Sequence, residues 1–161
     1  MSPTDWLPPL VLFEDFGGDW CRYEDALYRF FCADFIESRP TRDGKRVGCR
    51  KHPMEEGREY TFWHLISSGR GKQSRVPDMR RCERIRWPRP LVQCSDGDRA
   101  KTWETRRSGD RRVLIAVDDF SYLVVLAMRK GYYLLVTAYY VEHEHQRRKL
   151  RKEHRYPVAE A

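Results

Sequence analysis

Residues Arg111 to Val141 read RRVLIAVDDFSYLVVLAMRKGYYLLVTAYYV, and the fold turns on how this stretch divides. Three apolar runs stand out: Val113 to Val117, Tyr122 to Met128, and Tyr132 to Val141. Asp118-Asp119 and Arg129-Lys130-Gly131 separate them. Runs this short, rich in β-branched and aromatic residues and broken by turn-formers, predict strands. The links are too short for a helical crossover, so neighbouring strands must be antiparallel. Upstream, Lys101 to Arg106 alternates and predicts a first strand with Trp103 inward. The expectation is an α+β protein: N-terminal helices packed on a C-terminal, four-stranded antiparallel β-meander, followed by a terminal helix over Arg147 to His154.

Toward the N-terminus, Leu10 to Phe13 suits an edge strand or an extended docking segment. Gly17-Gly18-Asp19 makes a break, with Asp19 as helix N-cap. From Asp19 to Glu37, Trp20, Tyr23, Leu27, Phe30, Phe31 and Phe35 recur at helical spacing, with Cys32 read as a core thiol. Arg39 to Lys51 carries Asp43-Gly44, a hairpin signal in a segment too polar for a core hairpin. Tyr60 to Ile66, YTFWHLI, is a short aromatic run, and Arg70 to Arg75 reads as a flexible basic loop. Pro77-Asp78 suits a helix start, with Met79, Cys82 and Ile85 inward, Arg80, Arg81 and Arg84 on the flanks, and Pro88 and Pro90 ending it. Ser95 to Asp98 reads as a turn. The expected division is an N-terminal extension, 1–57, packed on a core of 58–161 in one compact unit.

The chain has 161 residues, 40% of them hydrophobic and 13% aromatic, enough for one buried core and too apolar for general disorder. No apolar run approaches a membrane span, and acids stand where a signal peptide would carry bases. Five cysteines without a CxxC pair favour reduced thiols and a cytoplasmic location. The formal charge of +7 is uneven: residues 1–60 carry 9 basic and 12 acidic side chains, residues 61–161 carry 22 and 12. The excess is mostly arginine, whose planar fork grips phosphate and stacks on bases, so the partner expected is a nucleic acid.

In the last strand, strict alternation puts Tyr133, Leu135, Thr137 and Tyr139 on one face and Tyr132, Leu134, Val136, Ala138 and Tyr140 on the other. A sheet covered by helices on one face can offer the other to a nucleic-acid strand. Of the five histidines, His64 alone sits in an ordered aromatic segment and is the candidate for proton transfer. His143 and His145 alternate with Glu142 and Glu144, too few ligands for zinc, and neither metal nor cofactor is expected.

Three segments resemble the phage and prophage RNase toxins grouped as PBECR, within the barnase, EndoU, colicin and RelE-like nuclease fold. They are Phe62 to Ile66 (FWHLI), Arg75 to Trp87 (RVPDMRRCERIRW), and Tyr122 to Leu126 (YLVVL) followed by Leu135 to Tyr139 (LVTAY), the most specific piece. The resemblance spans roughly residues 58–155. It implies a metal-independent endoribonuclease toxin in which a ribose 2′-hydroxyl attacks the adjacent phosphate. His64 would be base or acid, Arg80, Arg84 and Lys101 would stabilise the phosphate, and Thr137 and Tyr139 would orient the ribose or phosphate. Arg75, Arg81, Lys101, Arg111 and Arg112 are the expected RNA contacts. The RNA could be a tRNA, an mRNA or ribosome-associated. An acidic antitoxin or immunity protein would cover the basic groove, and the acid-rich residues 1–38 could restrain it from within. The alternatives are a non-catalytic RNA- or ribosome-binding module, or a phage protein acting on a host protein.

Overall fold

A computed structural model describes residues 2–69, 74–94, 97 and 99–156. The meander consists of β5 (Ala100–Arg107), β6 (Asp110–Val117), β7 (Tyr122–Arg129) and β8 (Tyr132–Tyr140), antiparallel in sequence order. Ser108 and Gly109 both have positive φ, 53° and 76°, the twist that a two-residue hairpin loop requires.

The polar hairpin joins this sheet, contrary to expectation. β1 (Thr41–Arg42) pairs with β2 (Lys45–Cys49), and β2 runs parallel to β8, with Arg46 opposite Tyr132 and Cys49 opposite Leu135. The sheet therefore has six strands, in the order β1-β2-β8-β7-β6-β5. The hairpin is polar because it sits at an edge, where Val47 alone of β2 is fully buried. The sheet curls until its two edge strands meet. Arg42, buried on β1, donates to the carbonyls of Val92 (3.0 Å) and Cys94 (2.8 Å) and to Thr102 Oγ1 on β5 (3.1 Å).

One face packs against the helices. α1 (Trp20–Phe31) starts at Asp19, whose carboxylate accepts from Arg22 N, and continues as a π-helical turn over Cys32–Ile36. Tyr23, Leu27, Phe31 and Phe35 form its buried stripe. Beside it lie α2 (Tyr60–Ile66), α3 (Met79–Glu83) and α4 (Pro88–Gln93). With Ile85 from the turn after α3, they bury Phe62, Leu65, Cys82 and Leu91 in one cluster with Val113, Ile115, Val124, Leu126 and Leu135. The 1–57 segment thus shares this core. α3 stops at Glu83, ahead of the prolines; Pro88 opens α4 at a first-turn position, where no amide donor is needed. Leu10 to Phe13 is a docking segment rather than a strand. Val11 N donates to Glu83 O, and Tyr23 donates its hydroxyl proton to Val11 O.

The other face carries α5 (Glu144–Arg155). Leu150 packs there with Trp103, Leu114, Ala116, Phe120, Leu123 and Val125. A short two-stranded ribbon, β3 (Ser67–Ser68) with β4 (Val76–Pro77), follows α2. Among the described residues no helix is long and apolar enough to cross a membrane. Most of the basic loop at 70–75 and of the turn at 95–98 lies outside the described residues.

Candidate nucleic-acid interface

The meander was expected to expose a wet face bearing Thr137 and Tyr139. It does not: Leu114, Ala116, Leu123 and Val125 on that face are at most 2% exposed beneath α5. Strands β6 and β7 are apolar on both sides, and such strands fold only where both sides are covered. A bulge also breaks the alternation of β8. Val125 pairs with Thr137 but Leu126 pairs with Leu135, so Val136 is an extra residue. Tyr133 and Leu135 consequently share the main core with Ala138, whereas Val136 and Tyr139 pack on the second cluster.

The residues that do meet surround α2. As a helix, YTFWHLI turns Phe62, Leu65 and Ile66 inward and leaves Tyr60, Trp63 and His64 partly exposed. Beside them is a cleft of about 450 Å³, whose lining includes Trp20, Arg50, Glu55, Tyr60, Trp63 and His64. The Tyr60 and His64 ring centroids are 4.3 Å apart, and the Arg50 guanidinium carbon is 4.3 Å from the Tyr60 ring centroid. Trp63 Nε1 donates to Glu55 O (3.1 Å), and Trp20 Nε1 donates to Glu24 (2.8 Å), which also pairs with Arg58. Trp20 and Glu24 of α1, within the acid-rich 1–38 segment, therefore wall this cleft without covering it.

Two expected RNA contacts are turned inward. Arg75 donates to Ser67 Oγ (3.0 Å), Gly69 O (3.1 Å) and Ser67 O (2.6 Å). Arg81 donates from one nitrogen to His64 O (2.9 Å) and Thr137 Oγ1 (3.3 Å), with its guanidinium 5.3 Å from the Tyr139 ring. They cap the carbonyl end of α2, where the helix dipole favours cations. Burial, then Arg75, Arg81 and Arg50, push the His64 pKa down from 6.5 to about 4, leaving the imidazole neutral near pH 7. Thr137 meets His64 only through this shared guanidinium, at the His64 carbonyl.

Arg80 on α3 and Arg84 at its C-cap gather elsewhere. Their guanidinium carbons lie 4.9 and 4.4 Å from the Tyr140 ring centroid, and that of Arg147 on α5 lies at 5.6 Å. Lys101, Arg111 and Arg112 stand apart on β5 and β6, across the sheet from β8, paired with Asp118 (3.4 Å), Glu104 (2.9 Å) and Asp110 (3.1 Å). The structure thus brings together His64, Arg75, Arg81, Thr137 and Tyr139, places Arg80 and Arg84 on Tyr140, and leaves the other three outside. Sequence reasoning missed Arg50, Glu55, Tyr60, Trp63, Tyr140 and Arg147. Helical spacing of Tyr60, Trp63 and His64 could have revealed part of the cleft wall; no local signal marks Arg50. The chain matches no protein-family model, no curated protein and no solved structure.

Proposed function

We propose that this protein binds single-stranded RNA, seating a base in the aromatic cleft with its backbone on the adjoining basic surface. The observation that carries this reading is the cleft wall, where Tyr60, Trp63, Trp20 and the neutral His64 ring surround a space beside Arg50. Aromatic stacking with a cation beside the ring is how unpaired bases are held. Glu55 offers an acceptor: among the described residues its carboxylate makes no hydrogen bond or ion pair, so it can accept from a base amine. The +7 charge supplies long-range attraction. A protein partner that masks this surface would be acidic.

The test is titration of a short unpaired RNA against the protein, with DNA of the same sequence as a second arm. Each stacked base contributes roughly 1–3 kcal/mol, so Trp63→Ala should weaken binding at least about fivefold while leaving the salt dependence unchanged. Wild-type and variant affinities that coincide would sink the cleft assignment.

One observation favours a second reading, cleavage: an unprotonated imidazole faces the cleft. In this reading His64 takes the proton from a ribose 2′-hydroxyl as that oxygen bonds to the adjacent phosphorus. The P–O5′ bond breaks, water protonates the leaving oxygen, the hydroxide so formed takes the proton back from His64, and a 2′,3′-cyclic phosphate remains. A bound phosphate would offset the surrounding arginines and raise the base strength of the imidazole. Cleavage of total RNA in EDTA, lost in His64→Gln while RNA is still bound with the wild-type salt dependence, is the expected result for an enzyme. Binding without cuts would leave the module alone standing.

A further inference from the structure

The Arg80, Arg84 and Arg147 cluster around Tyr140 is not explained by the packing of the core. α3 supplies Arg80 and its C-cap residue supplies Arg84, and both guanidinium groups reach the Tyr140 ring. Arg147 enters from α5, donating from Nε to Val141 O (2.8 Å) and from Nη2 to the Tyr140 hydroxyl (3.1 Å). Arg84 stacks between Tyr140 (4.4 Å) and Trp87 (5.1 Å) and donates from Nη1 to Arg80 O (3.0 Å). Elements far apart in sequence therefore bring like charges onto one ring, a placement that costs energy unless an anion completes it.

The acids nearby form ion pairs with Arg80 and Arg84 but occupy none of their hydrogen-bond donors. Glu142 approaches Arg80 no closer than 3.7 Å and Glu83 approaches Arg84 no closer than 3.6 Å, both beyond a hydrogen bond. Among the described residues, Arg147 has no acidic partner and the Arg80 guanidinium makes no hydrogen bond. The Tyr140 hydroxyl accepts from Arg147, which leaves its own proton free to donate. Contact with the Tyr140 ring restrains the guanidinium groups in advance, so less side-chain entropy remains to be lost when a ligand arrives. An oxyanion with several acceptor oxygens matches this set of donors, and a phosphate does so with the charge required.

We propose that Arg80, Arg84, Arg147 and the Tyr140 hydroxyl form a phosphate-binding site that grips the backbone of the bound RNA apart from the His64 cleft. The RNA part rests on the reading above; the phosphate site does not. α3 and its C-cap then work on two sides, with Arg81 bracing α2 and Arg80 and Arg84 holding a phosphate.

The experiment compares the full-length wild type, Arg80→Gln/Arg147→Gln and His64→Gln, using an unpaired RNA of about ten nucleotides with and without a 5′-phosphate. Removing two phosphate contacts should weaken binding about tenfold or more at low salt and flatten the log–log salt slope by about 1.4. His64→Gln should keep the wild-type slope. An effect on both RNAs identifies an internal phosphodiester, and an effect on the 5′-phosphorylated RNA alone identifies a terminal phosphate. Either supports the site, and an unchanged slope and affinity overturn it. Should the wild type bind no RNA, the RNA reading fails and inorganic phosphate decides the site alone. Phosphate should then raise the melting temperature of the wild type above that in chloride at matched ionic strength, and not that of the double variant. An equal rise in both, or none in the wild type, overturns the site. Arg80→Gln, whose side chain is half exposed, replaces the double variant in every arm if that variant does not fold.

Discussion

Acidification reads the setting of His64 most directly. Its pKa is pushed from 6.5 to about 4, chiefly by burial and then by Arg75, Arg81 and Arg50. Between those values the unfolded chain holds a proton on His64 that the folded chain refuses. This contribution is fully present above about 6.5 and is lost as pH falls toward about 4; below that both states are protonated and it changes no further. The full shift is worth about 3 kcal/mol for a shielded ring, and solvent screening of this partly exposed ring reduces that to roughly 1–2 kcal/mol. The assay is urea unfolding of the wild type and His64→Gln, near neutral pH and near pH 4. Glutamine cannot take up a proton in this range, and every other acid titrates in both proteins, so the difference isolates the imidazole. The wild type should lose roughly 1–2 kcal/mol more than the variant on acidification. Equal losses would refute the reasoning, as would an NMR titration placing the ring near 6.5.

Three more outcomes follow from the packing. Arg42→Met strips donors from the Val92 and Cys94 carbonyls and from Thr102 where the sheet edges meet; it should cost about 2–3 kcal/mol in chemical denaturation. Gly69 has φ +133°, and a Cβ there would lie 2.5 Å from Ser74 O. Gly69→Ala should therefore cost more than about 1 kcal/mol and weaken RNA binding, because Arg75 holds Gly69 O beside the cleft. Deletion of residues 1–38 should abolish the cooperative melt by circular dichroism, since it removes Tyr23, Leu27, Phe31 and Phe35 from the main core.

The candidate site was less legible than the strands. His64 is the ordered histidine that the pattern marks, but its neighbours come from three segments: Arg50 after β2, Tyr60 on its own helix, and Arg75 from beyond residues 70–73. Charge pointed to arginine as a class without separating its uses. Arg75 and Arg81 cap a helix, Arg42 ties the sheet's edges together, Arg111 and Arg112 pair with acids, and Arg80, Arg84 and Arg147 crowd one tyrosine. A guanidinium can reach several partners around its Cα, so its role depends on the backbone that other segments place nearby.

By itself the sequence determined the local elements: the four strands of the meander, the α1 stripe behind the Asp19 cap, and the charged terminal helix. Their periods and turn residues act between near neighbours, so a one-dimensional pattern suffices to read them. Only the tertiary structure decided that a polar hairpin runs parallel to β8, that a bulge at Val136 turns Tyr139 away from Leu135, and that α5 closes the expected open face. Each of these depends on which distant surface arrives to bury a side chain, and burial is a property of the assembled chain rather than of any stretch of it.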